Sequence, residues 1–441
     1  MATDGFRART TPIRGAVEVP GSKSISNRAL VCAALAAGDS HLFGLAEGDD
    51  TARMIAGIRQ LGATVDVAPA QGERGASNGA TMRIRGPIVR DARPDVVIDA
   101  GLAGTTSRFL TALAALSVGR TTITGGAGLR ARPMGELHRT LRALGVDVVV
   151  EREGFLPVTV QSRADAGSPR AVQKPREVVV GGEVSSQFIS ALMMIAPALG
   201  GLELRIDGPV VSRGYLDMTA AVMRRFAAEV QVGIDRVSVT AAPYRATDFE
   251  IDADWSSASY PFAAAAIVGG EVSVPRLRRN DTQPEEAFVG VLEQLGCRVR
   301  IDAAGVTVTR EMGTALRGVD VDMSVMSDLV PTLAAIAACA NGATKIRGVG
   351  FIRSKERDRL GDLAAEINRC GGRVRVLADG LSIEPAAVTA ATIDAHDDHR
   401  LAMSLALLGL HHDGVVVAEP GVVAKSWPSY WSAMRRGLSL G

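Results

Sequence analysis

The chain has 441 residues, 47% of them hydrophobic, and a formal net charge of +1. It can therefore bury a large core in two or three domains, and it lacks the bulk positive charge of a nucleic-acid surface. Its longest apolar runs, such as FAAAAIVGG, are about half a membrane span, and the opening MATDGFRARTTP has no apolar signal region.

Residues 9–19, at the start of the chain, read as a strand. From there one pattern is written six times, beginning near Ser24, Thr106, Ser186, Ser257, Ser327 and Asp398. The first copy runs SISNRALVCAALAAG, then a strand HLFGL, then an amphipathic helix in DDTARMIAGIRQLGATVDV. The second is TSRFLTALAALSVG, TTITGG and RPMGELHRTLRALGVDVVV. The third is SQFISALMMIAPALGG, LELRIDG and YLDMTAAVMRRFAAEVQV. The fourth has SASYPFAAAAIVGG, EVSVPRL and TQPEEAFVGVLEQLGCRVRI. The fifth follows with DLVPTLAAIAACANG, TKIRGV and ERDRLGDLAAEINRCGGRVRV. The sixth, HRLAMSLALLGLHHDG and VVVAEP, is cut short by the C-terminus. Starts fall roughly 70 to 82 residues apart, longer than any solenoid period, so each copy is a small α/β unit. Gly62, Gly145, Gly296 and Gly371 stop the second helices, and the third copy has no such glycine.

The first helix of each copy is apolar all round and expects burial on every side. A Ser, Thr or Asp at its start can cap the first-turn amides, and that end carries partial positive charge. Six such starts facing a common space would bind anions, which points to phosphorylated or carboxylated small molecules. Three copies fit between residues 21 and 245, and three more in 246–441. The strand at 9–19 is expected to complete the last copy, so that domain comprises 1–20 plus 246–441. The chain then crosses twice, near Pro20-Gly21 and Pro243, as a two-strand hinge suited to closure. Gly/Ser/Pro-rich loops at 70–79 and 161–176 lie inside copies. Cys32, Cys297, Cys339 and Cys370 show no CxxC or metal spacing and read as reduced core thiols of a cytoplasmic protein.

Particular residues carry a resemblance. Pro20-Gly21-Ser22-Lys23-Ser24-Ile25-Ser26-Asn27-Arg28 resembles the opening motif of 5-enolpyruvylshikimate-3-phosphate synthases. Leu102-Ala103-Gly104-Thr105 with Arg108, Arg130-Ala131-Arg132-Pro133 and Gly182-Glu183-Val184-Ser185-Ser186-Gln187-Phe188 are similar to further motifs. So are Lys355-Glu356-Arg357-Asp358-Arg359-Leu360, Asp398-His399-Arg400-Leu401-Ala402-Met403 and Lys425-Ser426-Trp427-Pro428. They cover nearly the whole chain in the family's order. The resemblance implies an α/β fold of two domains, each of three βαβαββ units, the inverse α/β barrel of the enolpyruvyl transferases. It implies transfer of the enolpyruvyl group of phosphoenolpyruvate to the 5-hydroxyl of shikimate 3-phosphate through a tetrahedral ketal, without metal or organic cofactor. A monomer that binds neither nucleic acid nor membrane is expected.

Both substrates carry a phosphate and a carboxylate, about six negative charges together. The motifs supply seven cations: Lys23, Arg28, Arg132, Lys355, Arg359, Arg400 and Lys425. Arginine forks suit phosphate and carboxylate oxygens, and lysine acts as a point charge. Carried over residue by residue, the resemblance implies that Lys23, Ser24, Arg28, Ser185, Ser186, Gln187, Ser212, Tyr215, Asp328 and Lys355 hold shikimate 3-phosphate. Lys23, Gly104, Arg132, Gln187, Arg359, Arg400 and Lys425 would form the phosphoenolpyruvate site, whose space glyphosate also occupies. Asp328 would take the proton of the 5-hydroxyl, and Glu356 would give one to the methylene carbon. Lys23 is placed with these two among the catalytic residues.

Leu102 and Phe351 stand where many family members have asparagine, which implies altered affinity. His396-Asp397-Asp398-His399 is not read as a metal site. His399 is expected to orient neighbours of Arg400, and His411-His412 to sit on a solvated turn. Two other readings compete. One is the sister transferase acting on UDP-N-acetylglucosamine, whose members usually carry a cysteine in the loop before the Arg-Pro pair; Gly126–Pro133 has none. The other is a non-catalytic anion-binding protein of the same fold, whose signature would be loss of Asp328, Glu356 or the cations, and none is lost.

Overall fold

The computed structural model describes residues 2–67, 80–88, 95–117, 119–162, 176–280, 282–355 and 357–440. The loop at 70–79 lies outside these, as does all but the ends of that at 161–176. The six Ala-rich stretches form helices α1 (Lys23–Leu35), α2 (Gly104–Ala114), α3 (Ser186–Ile195), α4 (Trp255–Val268), α5 (Val330–Ala338) and α6 (His399–Leu405). Every residue of α4 is buried, as is every residue from Ile25 to Ala34 in α1. Such helices have no polar face to give to water, and each buried Val, Leu or Ile contributes about 1.5–3 kcal/mol. No helix among the described residues is long and apolar enough to cross a membrane.

Each copy adds a small sheet. In the second, Val96–Asp99 pairs parallel with Gly119–Thr124, which pairs antiparallel with Val158–Ser162, and Asp147–Val150 closes the sheet. The strand order is therefore first, second, fourth, third, and the sheets of the third and fifth copies repeat it. The others borrow a strand. Asp248–Glu250 lies parallel to Gly38–Leu45 in the first copy, and Ile13–Ala16 lies parallel to Gly270–Pro275 in the fourth. The sixth sheet, Ala391–Ile393 beside Val415–Ala418, takes Thr3–Asp4 antiparallel. The expectation that residues 9–19 complete the last copy is thus corrected. Ile13 N–H donates to Gly269 O and Val17 N–H to Ser273 O, which binds that strand to the fourth copy.

The chain divides into two compact units, Met1–Pro20 with Asp252–Gly441, and Gly21–Ile251. Each has its own apolar core. The second passage falls at Ile251–Asp252 because the strand Asp248–Glu250 still belongs to the first copy's sheet.

Local chemistry follows the pattern with two departures. The stop glycines at 62, 145, 296 and 371 have φ of +105°, +86°, +103° and +83°, the left-handed region a Cβ disfavours. In the third copy the exposed Ala227 takes that place at φ +66°, at a cost of about 1 kcal/mol. Side-chain caps form at Ser185, Asp254 and Asp398, before α3, α4 and α6. At α1, α2 and α5 the cap positions are Ser22, Ala103 and Leu329, and none makes a side-chain cap. Those first-turn amides are left to other partners.

His138, on the helix Gly135–Ala143, is fully buried, and neither ring nitrogen has a hydrogen-bond partner among the described residues. Burial pushes it from 6.5 down to about 4; Arg142 adds to the shift and Glu153 opposes it. Above pH 6.5 the ring is neutral in both folded and unfolded chains, and its contribution is fully present. As pH falls from 6.5 toward 4, the unfolded chain binds a proton that the folded chain refuses, and stability is lost. The loss is on the order of 3 kcal/mol. Urea unfolding of the unit holding His138 should show this slope, and His138→Leu should flatten it. An unchanged slope in the variant would assign it to other groups.

Candidate active site

In the unit Gly21–Ile251 the candidate residues gather at the starts of α1, α2 and α3. Lys23, the first residue of α1, places Nζ 2.9 Å from Asp50 Oδ2, and the Asp50 carbonyl accepts a hydrogen bond from Thr106 in α2 at 2.9 Å. Arg28, one turn along α1, is 2% exposed. Its Nη1 donates to Ser24 O at 2.9 Å and its Nε to Thr219 Oγ1 at 2.7 Å, while the guanidinium lies over the rings of Phe109 and Tyr215.

Gly104 opens α2 without a side-chain cap, and a Cβ there would stand 2.9 Å from Arg132 Nη1 and 3.7 Å from Arg108 Nη1. Two guanidinium groups thus lie against a bare helix start, the setting in which backbone N–H groups and arginine hold an oxyanion. Arg108 donates to Gln187 Oε1 and to Pro133 O and lies 5.0 Å over the ring of Phe188. That ties the second residue of α3 to α2. Ser185 accepts the Gln187 N–H as the cap of α3, with Ser186 buried beside it. Ser212 is buried at φ +53°, and its carbonyl accepts the Tyr215 N–H at 3.1 Å. A serine held in the left-handed region stores strain of the kind found at ligand sites.

In the other unit Asp328 is the centre of a charge cluster. Arg400 Nη2 lies 2.7 Å from Oδ2; Arg359 Nη1 at 3.4 Å and Lys355 Nζ at 3.8 Å face Oδ1. Arg359, 2% exposed, also donates through Nε to Asp398 Oδ2 at 2.7 Å. Asp398 in turn caps α6 by accepting the Arg400 N–H at 2.9 Å. One carboxylate therefore orients both arginines. Lys425 ends the turn Pro420–Lys425 at 6% exposure, packed against α6. Glu356 lies outside the described residues.

Phe351 does more than remove an amide, because Lys355 Nζ stands 6.0 Å from its ring centroid, within cation–π range. Leu102 leans on the loop before Arg132, where its Cδ2 would lie 3.3 Å from a Cβ at Gly126. His399 is buried with Nδ1 3.9 Å from Asp398 Oδ1, His396 faces Glu366 at 3.1 Å, and His411 and His412 are exposed. No group of three His, Cys, Asp or Glu among the described residues could hold a metal ion.

Sequence reasoning missed Asp50 as the partner of Lys23, Asp398 as the partner of Arg359, and Arg108 as the link to Gln187. The only signal for Asp50 was an acidic first turn, which helix starts show generally.

A family model described as EPSP synthase (3-phosphoshikimate 1-carboxyvinyltransferase) matches residues 8–434. The 3-phosphoshikimate 1-carboxyvinyltransferase of Methanoculleus marisnigri is 37% identical over 431 residues, 97% of each chain. That of Nostoc sp. is 38% identical over 437 residues, 98% of each. The fold matches a solved EPSP synthase from Acinetobacter baumannii with a TM-score of 0.77 at 23% identity, covering 98% of this chain and 97% of that one.

Proposed function

The chain belongs to the EPSP synthase (3-phosphoshikimate 1-carboxyvinyltransferase) family, and from that premise we propose how its residues divide the work. It transfers the enolpyruvyl group of phosphoenolpyruvate to the 5-hydroxyl of shikimate 3-phosphate and releases phosphate, a step toward chorismate and the aromatic amino acids. One observation supports the site reading most. Five of the seven motif cations, Arg28, Arg132, Arg359, Arg400 and Lys425, are 8% exposed or less in a protein of net charge +1. Buried cations call for anions close by; Asp328 and Asp398 supply two, and the phosphate and carboxylate of each substrate would add to them.

In this reading Arg28, Ser24, Ser185, Ser186, Ser212, Tyr215, Asp328 and Lys355 hold the acceptor. Arg132, Arg359, Arg400, Lys425 and the backbone of Gly104 hold the donor, and Lys23 and Gln187 serve both. Glu356 protonates the methylene carbon of phosphoenolpyruvate, leaving an oxocarbenium-like carbon that the 5-hydroxyl attacks as Asp328 takes its proton. The resulting ketal loses phosphate and a methyl proton. Arg359 and Arg400, which hold Asp328, are also assigned to the donor. Each N–H shifted from Asp328 to the donor makes that carboxylate a better proton acceptor, so donor binding readies the base.

The test is phosphate release from phosphoenolpyruvate with two acceptors. Release should require shikimate 3-phosphate. Release with UDP-N-acetylglucosamine instead would assign the chain to the sister reaction, and release with neither would favour the non-catalytic reading.

Gly104 gives a sharper check on the donor site. The first atom an added methyl meets is Arg132 Nη1 at 2.9 Å, the far end of a flexible side chain. Gly104→Ala should therefore push Arg132 off the donor and raise KM for phosphoenolpyruvate, within the roughly five- to 150-fold set by an overpacking clash of about 1–3 kcal/mol. Glyphosate should weaken more, and shikimate 3-phosphate should bind as before. Separate titrations decide it, and equal weakening of all three would remove Gly104 from the donor site.

A further inference from the structure

Arg28 is held by a set of buried hydroxyls on two other helices. Its Nε donates to Thr219 Oγ1 at 2.7 Å, and its Nη2 lies 3.4 Å from Ser190 Oγ. Thr219 Oγ1 is in turn 2.8 Å from Ser190 Oγ and 2.6 Å from the Tyr215 carbonyl. Thr219 and Ser190 are both 0% exposed. Ser190 sits in the third apolar helix, α3, and Thr219 in the helix Gly214–Arg225 that Tyr215 opens.

The direction of these bonds matters. A carbonyl only accepts, so the Thr219 hydroxyl proton goes to Tyr215 O, and the Thr219 oxygen is left as an acceptor aimed at Arg28 Nε. The guanidinium is further confined between the rings of Phe109, at 5.3 Å, and Tyr215, at 5.7 Å. Its planar fork is thereby set in one orientation, with the rotamer entropy of a long side chain already lost. All these groups are neutral, so they fix the plane of the fork without cancelling its charge.

We propose that Thr219, with Ser190, is a positioning residue for shikimate 3-phosphate: it locks the guanidinium plane of Arg28 toward the acceptor's anionic groups. This rests on the reading that Arg28 binds the acceptor.

Three variants separate the two claims. Thr219→Val keeps the shape and removes the oxygen, Thr219→Ser keeps the oxygen, and Arg28→Gln tests the underlying reading. Thr219→Val should weaken shikimate 3-phosphate binding by roughly ten- to 150-fold, the scale of one hydrogen bond to a charged group. KM for phosphoenolpyruvate should stay within twofold, and Thr219→Ser should restore acceptor affinity. A general packing defect would move both substrates and would not be rescued by serine. Should Thr219→Val melt early, Ser190→Ala removes the second acceptor from a different helix and should weaken the same substrate selectively. If Arg28→Gln weakens acceptor binding but neither hydroxyl variant does, the positioning role is wrong. If Arg28→Gln leaves acceptor binding intact, the assignment of Arg28 fails and takes this proposal with it.

Discussion

Asp328→Asn is expected to lower kcat by roughly 10²–10⁴-fold, with KM for both substrates unchanged or lower. The amide keeps the carboxylate's shape and cannot accept the hydroxyl proton. It also leaves Arg400, Arg359 and Lys355, now 2.7 to 3.8 Å from the carboxylate, without that counter-charge. Relieved of that carboxylate, with Arg359 still held by Asp398, these cations should receive anionic substrates more readily. A structural role predicts the reverse, weaker binding with turnover intact. Steady-state kinetics with both substrates varied, together with acceptor titration, separates the two outcomes.

Arg359→Leu should strongly destabilise the unit formed by Met1–Pro20 and Asp252–Gly441. The Arg359–Asp398 pair is buried, with side chains 1% and 4% exposed and Nε to Oδ2 at 2.7 Å. Removing one partner leaves a buried carboxylate uncompensated, a loss of roughly 3–5 kcal/mol. Phosphoenolpyruvate affinity should fall as well, because Asp398 also sets the α6 start that presents Arg400. Arg359→Lys should recover part of the stability but not the forked contact, and so less of the donor affinity. Urea unfolding reports the first effect and KM for phosphoenolpyruvate the second. A stable Arg359→Leu protein with normal donor KM would show that the pair is neither structural nor part of the donor site.

The repeating frame was legible because it is local: Ala-rich runs, stop glycines and short alternating strands follow one another within each copy. The borrowed strands were not. Thr3–Asp4, Ile13–Ala16 and Asp248–Glu250 are two to four residues long and pair with segments far along the chain, so nothing in their own composition names a partner. Asp49-Asp50 opens a helix and reads as an ordinary acidic first turn until Lys23 is seen beside it. Thr219 and Ser190 look like small core residues until Arg28 is found against them. Family motifs named the cations, and only the three-dimensional arrangement showed which neutral and acidic groups hold them.

The most direct test of the reaction follows one oxygen atom. Phosphoenolpyruvate labelled with ¹⁸O in its C–O–P bridge should be turned over with shikimate 3-phosphate and the released phosphate analysed by ³¹P NMR. Enolpyruvyl transfer breaks the C–O bond of the ketal, so the phosphate should carry the bridging label in step with formation of the enol ether. Phosphate free of label, with the label kept in the three-carbon product, would mean that the P–O bond had broken and that the enzyme does not transfer the enolpyruvyl group.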